Sequence, residues 1–380
     1  MSFTSLGLSK SLLSVLEKQN FTQAYPIQEQ AIPVILSKKD VLGIAKTGSG
    51  KTASYVLPIL ENIRGKVKNE GREINVLVLV PTRELAVQVQ QVFYDFALEL
   101  KEPIKSKAVF GGVSINPQMM SLHGINVLVA TPGRLLELIQ KKAVSLSKVK
   151  TLVLDEADKM LNLGFKDEMN DIFDLLPNKR QNLLFSATLN KGVSFVNKLI
   201  LNNPVVIKIE EEDNSIDQIE QVGYSITEEK KGPLLRYLIK KQKMNQVLVF
   251  VSSIYKVDTV VDKLKKNGVN ALGIHGKKSQ GARTEALKMF KSGKLTVLVS
   301  TDLLARGIDI EFLPFVVNYE LPRSPKDYIH RIGRTGRAEA SGEAISFVTP
   351  EDKNHFRVIQ KKMKKWVTMV DGDALDLKGY

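Results

Sequence analysis

The chain has 380 residues, 55 Lys and Arg against 41 Asp and Glu, and no cysteine. That length suits two or three domains. The missing cysteine excludes disulfides, thiolate metal sites and cysteine nucleophiles, and no apolar run reaches the ~18 residues of a membrane helix.

Residues 1–209 carry a formal charge of +8, residues 210–220 carry −6, and residues 221–380 carry +12. Two basic bodies flank an acidic strip. This fits a polyanionic partner, although charge alone leaves a solvated lysine-rich surface equally open. Met1–Lys10 lacks the basic-then-apolar layout of a secretory leader. With the missing cysteine, that sets the expectation of a cytoplasmic protein without a membrane segment.

Taken in order, Ser9–Gln19 reads as a helix with Leu12, Leu13 and Leu16 on one face and Ser9 as its cap. Phe21 to Gln28 follows, with Pro26 suited to a first helical turn. A glutamine there offers both an acceptor and a donor to a base edge. By itself the segment reads more simply as a helix-opening turn.

Val41–Ile44 is a short apolar run that leads into Ala45-Lys46-Thr47-Gly48-Ser49-Gly50-Lys51-Thr52. Strand, glycine turn and helix start make a phosphate-binding loop, with Ala45 in place of the usual first glycine. Gly48 and Gly50 permit backbone angles that a side chain would obstruct. Successive N–H groups can then face phosphate oxygens at a helix N-terminus. Lys51 is expected to reach the β- and γ-phosphates, and Thr52 to hold Mg²⁺.

Val76–Val80, Asn126–Ala130, Thr151–Leu154 and Asn182–Phe185 are further apolar runs with helical patterns between them. They end in Pro81-Thr82-Arg83, Thr131-Pro132-Gly133-Arg134, Asp155-Glu156-Ala157-Asp158 and Ser186-Ala187-Thr188 respectively. Strands buried on both faces read as continuous apolar runs. Polar signatures at strand C-termini place ligands at that edge of a parallel α/β sheet.

Glu210–Ser215 breaks the pattern as an acidic linker, taken as 210–217. A second α/β series follows, with strands at Gln246–Val251, Ala271–Ile274, Thr296–Ser300 and Phe315–Tyr319, and a helix at Val257–Lys266. This half has no phosphate loop.

Asp155 stands where an aspartate helps to hold Mg²⁺ in phosphate-loop enzymes, and Glu156 is placed to polarise a water against the γ-phosphate. His330-Arg331-Ile332-Gly333-Arg334-Thr335-Gly336-Arg337 gathers four cationic or potentially cationic groups. Arginines three apart on a glycine-compacted backbone suit transition-state neutralisation as arginine fingers.

These stretches resemble, in order and across nearly the whole chain, the motifs of a DEAD-box RNA helicase of superfamily 2. The resemblance implies two tandem RecA-like α/β domains with mainly parallel sheets. It divides the chain into a Q-motif region 1–30, an ATP-binding domain 31–209 and a C-terminal domain 218–380. RNA-stimulated ATP hydrolysis would be coupled to local duplex unwinding or remodelling of RNA–protein complexes.

The same resemblance implies that Phe21 and Gln28 take the adenine, Ala45 to Thr52 the phosphates, and Asp309 the ribose. Lys51, Asp155, Glu156, Arg334 and Arg337 are then catalytic, and Thr52 and Asp155 hold Mg²⁺, partly through water. Thr82, Arg83, Gly112, Thr131, Gly133 and Arg134 would contact the RNA backbone from the first domain, and Gly276, Arg283, Thr301 and Arg306 from the second. Ser186 and Thr188 would couple hydrolysis to unwinding. Binding through phosphate and sugar implies little sequence preference.

Departures from the family pattern are Ala24-Tyr25 for Pro-Thr, Lys46 for Gln and Leu303-Leu304 for Val-Ala. The compact length looks bacterial and RhlE-like. A DNA helicase of the same superfamily and an RNA clamp that uses ATP only to lock are the competing readings.

Overall fold

The computed structural model describes residues 2–380 except 47, 66–70, 99, 101–103, 210–218, 303–312 and 336–341. Thr47, Arg306, Asp309, Arg337 and the 210–217 linker lie outside the described residues. The chain divides into two compact units, Met1–Glu210 and Glu211–Tyr380.

In the first unit the strands are β1 Val41–Ile44, β2 Val76–Leu79, β3 Ser106–Val109, β4 Val127–Ala130, β5 Thr151–Leu154, β6 Gln181–Ser186 and β7 Val205–Lys208. They form one sheet in the order β3-β4-β2-β5-β6-β1-β7, and every pair is parallel. Strands β1, β2, β4, β5 and β6 are buried throughout. Helices cover both faces, so alternate side chains enter two separate cores. Val41, Val76, Val78 and Val153 belong to one, and Leu42, Leu77, Leu79 and Leu154 to the other. Parallel strands need helical crossovers, and these supply the two covering layers.

The helices of this unit are α1 Lys10–Lys18, α2 Pro26–Leu36, α3 Lys51–Ile63, α4 Arg83–Ala97, α5 Ile115–Met120, α6 Pro132–Gln140, α7 Ala157–Asn162, α8 Lys166–Asp174 and α9 Lys191–Ile200. Ser9 precedes α1 but makes no side-chain cap. Its hydroxyl instead accepts from Arg64 Nη1 at 2.8 Å, and its N–H donates to Glu61 at 3.1 Å. A part-buried tie to the C-terminal end of α3 replaces the expected cap.

The second unit repeats the plan. Its strands are β8 Glu220–Ser225, β9 Val247–Phe250, β10 Ala271–Ile274, β11 Val297–Ser300, β12 Phe315–Asn318, β13 Glu343–Val348 and β14 Thr368–Asp371, ordered β10-β11-β9-β12-β13-β8-β14. All pairs are again parallel. Helices α10 Lys231–Lys241, α11 Ile254–Lys266, α12 Gln280–Lys291, α13 Pro325–Ile332 and α14 Lys353–Met363 accompany it.

Strands that sequence pattern missed have identifiable causes. The edge strands β3, β7 and β14 are only partly buried, so solvated positions interrupt their apolar runs. Central β13 carries Ser346 in the core. Its hydroxyl is satisfied by Asn318 Nδ2 and the Tyr328 hydroxyl, both at 3.1 Å. A buried polar group with its partners in place costs little.

Candidate functional site

In the first unit the ends of β1, β6 and β5 are neighbours. The glycine loop, the candidate phosphate site, leaves β1, Ser186 closes β6 and Asp155 follows β5. Gly48 and Gly50 adopt φ of +80° and +84°. A Cβ on Gly50 would run into the Gln28 amide and the Tyr25 ring, so close approach as well as backbone angle requires glycine there. Lys51 opens α3 and is buried. Its ammonium folds back onto the loop, donating to the Ala45 carbonyl and to the Lys46 carbonyl at 2.6 Å. Burial lowers its pKa, opposed by the charges of Asp155 and Glu156.

Asp155 is buried. Its Oδ2 accepts from the Tyr55 hydroxyl at 2.8 Å, while Oδ1 has no hydrogen-bond partner among the described residues. Glu156 takes a left-handed conformation, φ 53° and ψ 46°, which is strained for a residue with a side chain. Its Oε1 accepts from Lys159 at 2.6 Å, and Oε2 likewise lacks a partner. Burial raises the pKa of both carboxyls, opposed chiefly by Lys51 at Asp155 and by Lys159 at Glu156. An unmatched anionic oxygen in a buried site calls for a cation or a water. Asp155 beside the Lys51 charge, with Thr52 on the adjoining helix, fits a divalent cation that also binds phosphate.

Ser186, Ala187 and Thr188 join the two sides of this site. The Ser186 carbonyl accepts from the Ala45 N–H at 3.1 Å. Its hydroxyl donates to the Thr188 carbonyl at 2.8 Å. Thr188 Oγ1 in turn donates to Asp158 Oδ2 at 2.9 Å. A hydrogen-bonded chain thus runs from the phosphate loop to the acidic motif.

Gln28 is 1% exposed. Its Oε1 accepts from the Tyr25 N–H at 2.9 Å, and its Nε2 donates to the Gly50 carbonyl at 3.1 Å. A primary amide has two N–H groups and two acceptor positions, so one of each remains for a base edge. Phe21 packs edge-on against Phe96, with ring centroids 5.4 Å apart, and is half-buried.

Among the expected RNA-binding residues, Thr82 caps α4 through Leu85 N–H at 3.3 Å. The Arg83 guanidinium lies directly over Gly112, where any Cβ would strike it, and Gly112 has φ +73°. Thr131 precedes α6, and space is open beside Gly133. Arg134 is buried. It bonds Glu137 at 2.9 Å and the Val113 carbonyl at 2.8 Å, with Nη1 left without a partner. It thereby holds the loop at Val113 and leaves the Nη1 group, with its two N–H donors, for a phosphate.

In the second unit, Gly276 has open space at its Cβ position. Arg283 is buried on α12 and hydrogen-bonds Gln280. Thr301 follows β11, its carbonyl accepting from the Ser300 hydroxyl at 3.1 Å. Within the basic cluster, Arg331 turns inward. That residue is 2% exposed and grips Asp302 through two hydrogen bonds, the longer 2.7 Å. It also bonds Asn318 and the Glu320 carbonyl and lies over the Phe250 ring. It is a structural bolt. Arg334, also buried, follows the end of α13.

Sequence reasoning missed Tyr55, Lys159 and the Arg331–Asp302 pair. Tyr55 lies four residues after Lys51, hence on the same helix face, and that spacing was an available signal. Nothing local in the sequence pairs Arg331 with Asp302.

The "DEAD/DEAH box helicase" family matches residues 25–196, and the "Helicase conserved C-terminal domain" matches residues 229–339. The DEAD-box ATP-dependent RNA helicase CshA of Streptococcus pneumoniae is 42% identical over 366 residues, covering 96% of this chain and 69% of that protein. CshA of Bacillus subtilis is 37% identical over 377 residues, covering 99% and 75%. Among solved structures, Saccharomyces cerevisiae Dbp5 bound to RNA and ADP-BeF3 superposes with a TM-score of 0.84 at 33% identity, covering 98% of this chain and 96% of that one. A DEAD box protein from Methanococcus jannaschii gives 0.54 at 35% identity, covering 98% and 99%.

Proposed function

The chain belongs to the DEAD-box family of ATP-dependent RNA helicases, and on that premise we propose how its residues divide the work. It is an ATP-hydrolysing RNA helicase of two RecA-like units. The observation that best supports the assignment of roles is the chain of hydrogen bonds from Ala45 through Ser186 and Thr188 to Asp158. It lies beside two buried carboxylates, each with one unmatched oxygen.

On this reading residues 1–30 carry the Q motif, 31–209 form the ATP-binding domain and 218–380 the C-terminal helicase domain. Lys51 gives up its loop carbonyls for the β- and γ-phosphates. Thr52 and Asp155 hold Mg²⁺, which when bound neutralises phosphate charge. Glu156 orients the attacking water through its free Oε2. Arg334 and Arg337 neutralise the transferring phosphoryl group, and Asp309 binds the ribose. Thr82, Arg83, Gly112, Thr131, Gly133 and Arg134, with Gly276, Arg283, Thr301 and Arg306, contact the RNA backbone. Ser186 and Thr188 relay the state of the phosphate loop to Asp158. No helix among the described residues is long and apolar enough to cross a membrane, and we place the protein in the cytoplasm.

The direct test is unwinding of a short RNA duplex, with RNA and DNA compared as stimulators of ATP hydrolysis. Strand separation that requires ATP and RNA supports the helicase reading. Equal stimulation by DNA favours a DNA translocase, and ATP-dependent binding without strand separation favours a clamp.

Replacing Gln28 by alanine is expected to weaken ATP binding about 5–150-fold, the worth of two hydrogen bonds, and to erase the preference over GTP. Part of that loss will come from the Gly50 carbonyl that Gln28 now holds. Equal turnover of ATP and GTP by the unaltered protein would remove Gln28 from adenine recognition.

For RNA, log affinity is expected to fall with log salt at about −0.7 per phosphate neutralised. Arg83→Ala should weaken binding to every sequence and flatten that slope. A loss confined to one RNA sequence would identify a base-reading interface instead.

A further inference from the structure

The C-terminal part of the second unit carries a basic cluster that the assigned roles leave unused. Between Lys353 and Val370 there are Lys353, Arg357, Lys361, Lys362, Lys364 and Lys365 and no acidic residue. Trp366, the chain's one tryptophan, follows directly and is 68% exposed. Burial is the ordinary fate of a large indole, so its place in solvent beside this charge calls for a reason.

The turn that presents it is built. Lys364 ends α14 in the left-handed conformation, φ 57°. Lys365 Nζ donates to the Ile219 carbonyl at 3.1 Å. The Val367 N–H donates to the Gln360 side chain at 2.8 Å. Met363 and Val367 are buried on either side. The indole is therefore held outward by anchors before and after it. Lys361, Lys362 and Lys364 are exposed, and none of the three forms an ion pair among the described residues. Lysines favour a helix C-terminus through the helix dipole; that accounts for cations here but not for the indole.

Position separates this patch from the motif residues. All strands of the sheet are parallel. Trp366 lies two residues before β14 and so stands at the N-terminal edge, whereas Gly276 and Thr301 follow the C-terminal ends of β10 and β11.

We propose that Lys361, Lys362, Lys364 and Trp366 form an auxiliary binding site for single-stranded RNA, with one base stacked on the indole and neighbouring phosphates neutralised by the lysines. The proposal rests on the helicase reading, which supplies the RNA. An exposed aromatic face beside exposed cations is the arrangement that binds single strands without reading sequence. An acidic protein segment would use the lysines but has no base to stack.

Because Trp366 is unique, its fluorescence reports the site directly. The full chain, without nucleotide, is titrated with an unstructured RNA of about 20 nucleotides. Saturable quenching that weakens with salt is expected. With labelled RNA, Trp366→Ala should lower affinity about 5–150-fold, the range for one stacked base, and Trp366→Phe should keep most of it. The triple variant Lys361→Ala/Lys362→Ala/Lys364→Ala should flatten the salt slope by about 2. Unchanged fluorescence, with unchanged affinity in Trp366→Ala, overturns the proposal. If RNA still stimulates ATP hydrolysis, the helicase reading survives that result; if it does not, both fall. Quenching by polyglutamate and not by RNA also overturns it, in favour of an acidic protein partner.

Discussion

Arg337→Ala is expected to lower RNA-stimulated ATP turnover by about 10³–10⁵-fold, a barrier increase of roughly 4–7 kcal/mol. The phosphate loop belongs to the first unit and the arginines to the second. Nucleotide binding and hydrolysis should therefore separate. ATP affinity of the full-length variant should stay within a few-fold of normal while single-turnover hydrolysis collapses. Arg334→Ala should behave alike. If hydrolysis depends on both units acting together, RNA that favours the active arrangement must bind it more tightly than the inactive one. By linkage, a nucleotide that favours the same arrangement must tighten RNA binding by the same factor. Near-normal turnover in Arg337→Ala would remove Arg337 from the mechanism, and the same result in Arg334→Ala would remove Arg334.

Glu156→Gln is expected to cost about 10²–10⁴-fold in turnover, the usual worth of a positioned general base, with ATP and RNA binding retained. The amide keeps the shape and loses the charge that orients the water. The unaltered protein should show a matching pH dependence. Burial raises the Glu156 pKa above the ordinary glutamate value, and the active form is the carboxylate. Activity is therefore full at high pH and lost as pH falls through the raised pKa. The acid limb of kcat/KM, which reports the free protein, should lie above the normal glutamate range. A limb at the ordinary value, or a Glu156→Gln variant that hydrolyses ATP normally, would assign the water to another group.

Most of the candidate nucleotide site was legible because its signals are local. A buried strand, a glycine turn and a helix start are contiguous in Val41–Thr52. The Asp155-Glu156 pair follows the apolar run Leu152-Val153-Leu154. The branch within the family was less legible. Compact length suggested an RhlE-like branch, and the relatives described above are CshA helicases.

By itself the sequence determined two α/β units, a phosphate loop, an acidic motif at a strand end and a basic surface. Each follows from periodicity, backbone freedom or charge within a short window. Only the tertiary structure decided which polar groups meet. It set strand β6 between β1 and β5, which makes Ser186 and Thr188 a bridge between loop and acid. It gave Asp155 to Tyr55, turned Arg331 inward onto Asp302, and spent two bonds of Arg134 on its own unit. These pairings join residues that strand order and helix packing bring together, and a buried charge takes whichever partner the fold supplies, because leaving it unpaired costs more than any local preference can return.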